Sequence, residues 1–176
     1  MNIGMCWRTI SGAPESNAAN MFACELRTRT VAWLLFGLIP PVSFETNELK
    51  ATIVEKRPHE LRTAERLSLN GVRSKFVRDH RRVVDPLTRE VKQIGLADLA
   101  NGYELKTLET AATFSSIDGY LRRAAKKLNV VAVVFDNTNN QGMSDEALDI
   151  CVIEAKRRFG GRVYVLHQNG DYKRVI

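Results

Sequence analysis

The chain has 176 residues, 44% of them hydrophobic, and carries 26 Lys and Arg against 20 Asp and Glu for a formal net charge of +6. That is enough apolar chain for a real core in one domain of common size with residues to spare, and the charge favours a polyanionic partner without singling one out. Cys6, Cys24 and Cys151 have no metal-ligand spacing and cannot all pair within one chain, so no disulfide framework is implied.

Residues 1–50 read as an N-terminal extension of unclear function, and residues 51–176 as the folded domain. Within the extension, "SGAPESNAAN" carries turn formers and no period. The apolar segment 31–41, "VAWLLFGLIPP", has about nine residues before its proline pair, far short of the ~20 that span a bilayer. It has the length of a signal-peptide core, but it lies well inside the chain and no A-x-A cleavage site follows. A buried or interface segment is the better expectation.

Regular signals begin with "PHELRTAERLSLNG", where Pro58 suits a helix start and Gly71 a helix stop. On that helix Glu60 lies in line with Ala64 and Leu67, while Glu65 points to solvent. A carboxylate on a packing face either serves the helix dipole or belongs to a site. Residues 72–77 suit a strand, followed by a basic loop or second strand holding Arg78, His80, Arg81 and Arg82 and ending near Pro86. A hairpin around Asn101-Gly102 comes next. Ile117, Leu121, Ala124 and Leu128 then recur at helical spacing, with Arg122, Arg123, Lys126 and Lys127 on the flanks. "NVVAVVFD" has the β-branched composition of a strand covered on both faces. Ser144 caps a helix whose packing side carries Leu148, Val152, Ala155 and Phe159, with Cys151 as a core residue, and two strands about Asn169-Gly170 close the chain. This alternation predicts an α/β fold.

The stretch "ADLANGYELKT" carries the chemistry, and its meaning depends on the turn. With Asn101-Gly102 as a two-residue turn, Asp98 leaves the opposite face of the ribbon from Glu104 and Lys106. With Ala100-Asn101-Gly102 as a three-residue loop, Gly102 takes the left-handed position and all three charges share a face. Facing carboxylates repel, so the second register implies a cation between them. Lys106 can serve, or a divalent ion such as Mg²⁺, which binds one or two carboxylates and leaves positions for phosphate oxygens. With the ion at the phosphate and Lys106 on the water or the developing charge, the outcome is phosphodiester hydrolysis.

Taken with "ELRTAERL", the "TFSSI" entry to the basic helix and the "VVAVVFD" strand, these residues resemble the PD-(D/E)XK nuclease superfamily over residues 57–176. Within it they are similar to the C-terminal nuclease domains of contact-dependent inhibition and other polymorphic bacterial toxins. Ala97 stands where that pattern has proline. The resemblance implies a restriction-endonuclease-like core of helix, antiparallel hairpin strands, helix and central strand, here with a further helix and a C-terminal β-hairpin. It implies a catalytic set of Asp98, Glu104, Lys106 and Glu60, with Asp98 and Glu104 holding the metal. It also implies a tRNA substrate, action in the bacterial cytoplasm after delivery, and a cognate immunity protein as partner.

Arg78, Arg81, Arg82, Ser116, Arg122 and Lys126 are the candidate contacts to the nucleic-acid backbone. Ser115 and Ser116 also suit the cap of the basic helix. Asp136 ends the buried strand where α/β sites gather, and His80 and His167 each stand alone. A DNA endonuclease of a mobile element and a non-catalytic basic module that binds nucleic acid or a protein are the competing readings.

Overall fold

The computed structural model describes residues 41–110 and 113–176. The apolar segment up to residue 40, together with Cys6 and Cys24, lies outside the described residues. The chain runs β1 (Ser43–Phe44), α1 (Asn47–Lys56), α2 (Pro58–Leu69), β2 (Lys75–Phe76), β3 (His80–Val84), β4 (Val91–Gly95), β5 (Tyr103–Thr107), α3 (Phe114–Ala124), β6 (Ala132–Asp136), α4 (Asp145–Ala155), a short 3₁₀ turn (Lys156–Arg158), β7 (Arg162–Leu166) and β8 (Tyr172–Arg174). This is a mixed α/β arrangement, and no helix among the described residues is long and apolar enough to cross a membrane.

A four-stranded sheet of order β5-β6-β7-β8 organises it, with β5, β6 and β7 parallel and β8 antiparallel to β7. Parallel neighbours need crossover connections, which α3 and α4 supply. All five residues of β6 are buried, as a β-branched run covered on both faces requires. Val133, Phe135, Val163 and Val165 pack on Ile117, Leu121, Leu148 and Val152 of α3 and α4. The opposite face, through Leu105, Val134 and Leu166, packs on Ile53, Ala64 and Leu67 of α1 and α2.

The helices follow their local signals with four departures. First, α1 begins at Asn47, inside the stretch read as an extension, with the Thr46 hydroxyl accepting the Leu49 N–H at 3.1 Å. Ile53 is its one buried residue, too narrow a stripe to show as a helical period. Second, α3 is capped by Thr113 and not by Ser115 or Ser116, which fall in its first turn. Third, α3 ends at Ala124, so Leu128 is 45% exposed outside the helix instead of extending its packing stripe. Fourth, α4 is capped by Ser144 through the Ala147 N–H and buries Leu148, Val152 and Ala155 with Cys151 partly buried beside them, but it ends at Ala155, so Phe159 joins the same core from beyond the 3₁₀ turn and not from the helix.

The basic stretch is neither a loop nor part of the main sheet. It forms β3 of a separate antiparallel ribbon with β4, registered from His80↔Gly95 to Val84↔Val91. The short β2, confined to residues 75–76 of the expected 72–77, pairs with β1.

At "ADLANGYELKT" the Leu99 N–H donates to the Tyr103 carbonyl at 3.0 Å and the Gly102 N–H to the Leu99 carbonyl at 2.9 Å, with Gly102 at φ +80°. The loop is therefore Ala100-Asn101-Gly102, the three-residue form. The Asp98 side is not a regular strand: its backbone turns toward β2, with the Val77 N–H donating to the Asp98 carbonyl at 3.1 Å and the Ala100 N–H to the Lys75 carbonyl at 2.9 Å. The turn docks on the loop ahead of β6, since a Cβ at residue 102 would lie 2.7 Å from the Asn129 carbonyl oxygen and 2.8 Å from Val131 Cγ2.

Gly71 offers a matched control, with φ +79° and nothing within 4 Å of a built Cβ. Gly71→Ala is expected to cost only the left-handed conformation, about 1–2 kcal/mol. Gly102→Ala adds a clash with the Asn129 carbonyl oxygen and another with the Val131 side chain and should lower the urea midpoint clearly further; equal losses in the two variants would contradict the docked turn.

Candidate active site

The three-residue turn sets two carboxylates, Asp98 and Glu104, side by side, and a third joins them from α2. Asp98 and Glu104 are 3% and 1% exposed. Asp98 Oδ2 accepts the Leu105 N–H at 2.8 Å, so the backbone of β5 itself fixes the aspartate beside Glu104. Glu104 receives two lysines: Lys106 Nζ lies 2.7 Å from Oε1, and Lys127 Nζ lies 2.7 Å from both carboxylate oxygens. Lys127 also stands 3.9 Å from Asp98 Oδ1. Glu60 enters from the first turn of α2. Its Oε2 is 3.2 Å from Arg57 Nη1, yet it is buried and not aligned for a hydrogen bond with any group. The same Arg57 nitrogen reaches Asp79 at 3.2 Å and Asp98 at 3.9 Å.

These groups shift one another in the directions burial and charge dictate. Burial first, and then the adjacent Glu104 carboxylate, push Asp98 up to about 7, with Lys106 and Lys127 opposing. Burial likewise raises Glu60 against the pull of Arg57 and Lys106. Burial works against the charge on Lys106, but Glu104 and Asp98 more than offset it and hold the ammonium above its ordinary value. The lysine is thus a fixed positive charge, while Asp98 has an appetite for a proton or another cation.

Of the residues singled out in the sequence, Glu60, Asp98, Glu104 and Lys106 converge here. Two further members were not foreseen. Lys127, placed by periodicity on the flank of a helix, instead lies beyond the helix end and turns inward over Gly95, whose missing Cβ would sit 3.0 Å from the Lys127 Cγ. Arg57 sits in the junction between α1 and α2, where helix period carries no signal. A cleft of about 280 Å³ is lined by His59, Thr107, Glu109, Ser116 and Tyr120, of which His59 and Thr107 are chain neighbours of Glu60 and Lys106.

The remaining candidates separate. Arg78 is exposed and Arg81 and Arg82 lie on β3, while Lys126 is exposed past α3. Arg122 is committed within the fold, its Nε donating at 2.7 Å to Asp118, which Arg158 also holds at 2.7 Å. Asp136 is fully buried and accepts from Thr63 Oγ1 and Arg66 Nη1, each at 2.6 Å, tying α2 to β6. His80 is bonded to Asp79 at 2.7 Å, and His167 lies 3.3 Å from Asp149.

No three His, Cys, Asp or Glu side chains among the described residues form a ready metal cage. The donor chemistry still fits a hard cation. All three acids offer oxygen, the buried Glu60 Oε2 has no hydrogen-bond partner, and burial raises Asp98 in spite of the lysines beside it.

A solved structure from Burkholderia pseudomallei, described as a CdiA-CT/CdiI toxin and immunity complex, is similar to this chain with a TM-score of 0.46 and 12% identity, covering 75% of this chain and 97% of that one. No family model and no curated protein matches the sequence.

The raised Asp98 has a measurable consequence in the metal-free protein. Its ordinary value is 3.8 and its folded value about 7, so between these the folded chain binds the proton more tightly. Stability from this group is therefore present at low pH and lost as pH rises through about 7. In chelator the melting temperature is expected to fall between pH 5 and pH 8 more steeply for the native chain than for Asp98→Asn, which keeps the acceptor for the Leu105 N–H; parallel profiles would contradict it.

Proposed function

We propose that the protein is a metal-dependent nuclease of restriction-endonuclease-like organisation that hydrolyses phosphodiester bonds, with tRNA as the favoured substrate. The observation that carries this reading is the turn register: it sets Asp98 beside Glu104 and Lys106 in a buried cluster that Glu60 joins from α2.

In this reading Asp98 and Glu104 hold the ion, and Glu60 completes the set of acids. A divalent ion such as Mg²⁺, when bound, supplies Lewis-acid polarisation of the phosphoryl group. Lys106 orients the attacking water and neutralises charge developing on the phosphate, a role its persistent protonation suits. Water oxygen forms the new bond to phosphorus as the bridging ester oxygen departs. Ser116 and the cleft beside Thr107 would receive the strand next to the reacting phosphate. The likeness of these residues to polymorphic-toxin nucleases extends the proposal to a toxin effector that acts in the cytoplasm of a target bacterium and is restrained by an immunity protein.

One observation favours a second reading. Arg57, Lys106 and Lys127 already counter three carboxylates, so the cluster can also serve as a structural ion-pair network in a non-catalytic binding module.

The two readings part in one assay. The chain is incubated with total tRNA and with plasmid DNA, with and without Mg²⁺, beside Asp98→Ala and Lys106→Ala. Metal-dependent cutting of tRNA, reduced at least ~100-fold in both variants while binding persists, is the expected result. Cutting of plasmid alone would transfer the proposal to a DNA endonuclease; no metal-dependent cutting of either would sink it.

A further inference from the structure

Among the described residues β3 and β4 pair only with each other. The ladder closes at its base with the Leu96 N–H donating to the Asp79 carbonyl at 2.7 Å, and there the ribbon is tied to the body by the Leu128 N–H donating to the Gly95 carbonyl at 2.8 Å. Residues opposite one another in an antiparallel pair share a face, and successive residues alternate. His80, Arg82 and Val84 therefore lie with Gly95, Gln93 and Val91 on one face, while Arg81 and Val83 lie with Ile94 and Lys92 on the other.

Gly95 fixes which face looks toward the acids. A Cβ there would meet the stem of Lys127 at 3.0 Å, and that stem runs on to Glu104. At the same end His80 is bonded to Asp79, which in turn receives Arg57. The face carrying Arg82 thus continues outward from the cluster, and the face carrying Arg81 is its reverse.

The two faces are told apart by their relation to the cluster, since Arg81 on the reverse is as free of ion pairs among the described residues as Arg82. Lys92, on the reverse, is neutralised by Asp85 at 2.9 Å. Arg82 makes no ion pair among the described residues. Farther along the same face Val84 and Val91 sit opposite each other, 54% and 63% exposed. A polyanion approaching this site meets buried carboxylates whose compensating cations are already engaged. The attraction must come from cations outside the cluster, and on the site-facing side of the ribbon Arg82 is one.

We propose that this face of the β3–β4 ribbon is a track for the nucleic-acid strand leaving the acidic cluster. Arg82 holds a backbone phosphate, Gln93 lies across from it as a polar partner, and the Val84–Val91 pair receives a base or ribose. The inference rests on the nuclease reading for its ligand, and it divides the basic cluster: Arg82 grips the strand and Arg81 does not.

The test uses the full chain with Lys106→Ala, so that nothing is cut, and fluorescein-labelled tRNA followed by anisotropy over a salt series. Adding Arg82→Ala is expected to weaken binding about five- to tenfold and to lower the salt slope by about one. Lys92→Ala removes the same charge from the reverse face and should stay within about twofold, and Arg81→Ala should behave like it. Val84→Ser with Val91→Ser should weaken binding without changing the salt slope. Equal losses from Arg82 and Lys92, or none from Arg82, would overturn the track. These outcomes are read from binding alone, so failure of the parent chain to cut tRNA would sink the nuclease reading separately.

Discussion

The arrangement depends on one residue in the left-handed region. Gly102 allows the Leu99 carbonyl to bind an N–H three residues on, and this sets the pairing that carries Asp98 alongside Glu104. A two-residue turn would shift the register by one position, and in an extended chain that moves a side chain to the other face. The missing Cβ has a second use, because the same turn lies against Asn129 and Val131 at the entry to β6. Local turn geometry and the docking of the edge strand onto the central sheet are thereby one constraint.

Once the acids are together, the electrostatics require compensation. Buried carboxylates without partners would cost several kcal/mol each, more than a domain of ordinary stability can spare. The chain recruits Arg57 from the α1–α2 junction, Lys106 from the same strand and Lys127 from beyond α3. Burial still pushes Asp98 up to about 7 against these cations, and Glu60 Oε2, though 3.2 Å from Arg57, has no aligned hydrogen bond.

Much of the scaffold was legible because its signals are local. Pro58 at a helix start, the Ser144 cap and the continuous β-branched run of β6 each act within a few residues of themselves. The hairpin was legible only as a choice between registers, since the sequence contains Asn101-Gly102 in either case and the choice is made by packing against residues 129–131. Helix α1 escaped notice because a helix burying little beyond Ile53 needs no apolar stripe. Lys127 escaped for a different reason. Its helical spacing is real, but the helix stops at Ala124, and a lysine three residues past a helix end can point anywhere its stem has room; Gly95 provides that room.

Lys127 closes a cluster whose other members are contributed from Arg57 onward, by a helix junction, a helix, a turn and a strand. Contacts of that separation form late, after the entropy of closing the intervening chain has been overcome. The turn can set Asp98 beside Glu104 locally, but Lys127 reaches them only once the segment beyond α3 is seated on Gly95. Completion of the cluster is therefore tied to tertiary folding: the turn alone supplies two acids, and the third acid with two of the three cations arrives only when α2 and the segment beyond α3 are docked.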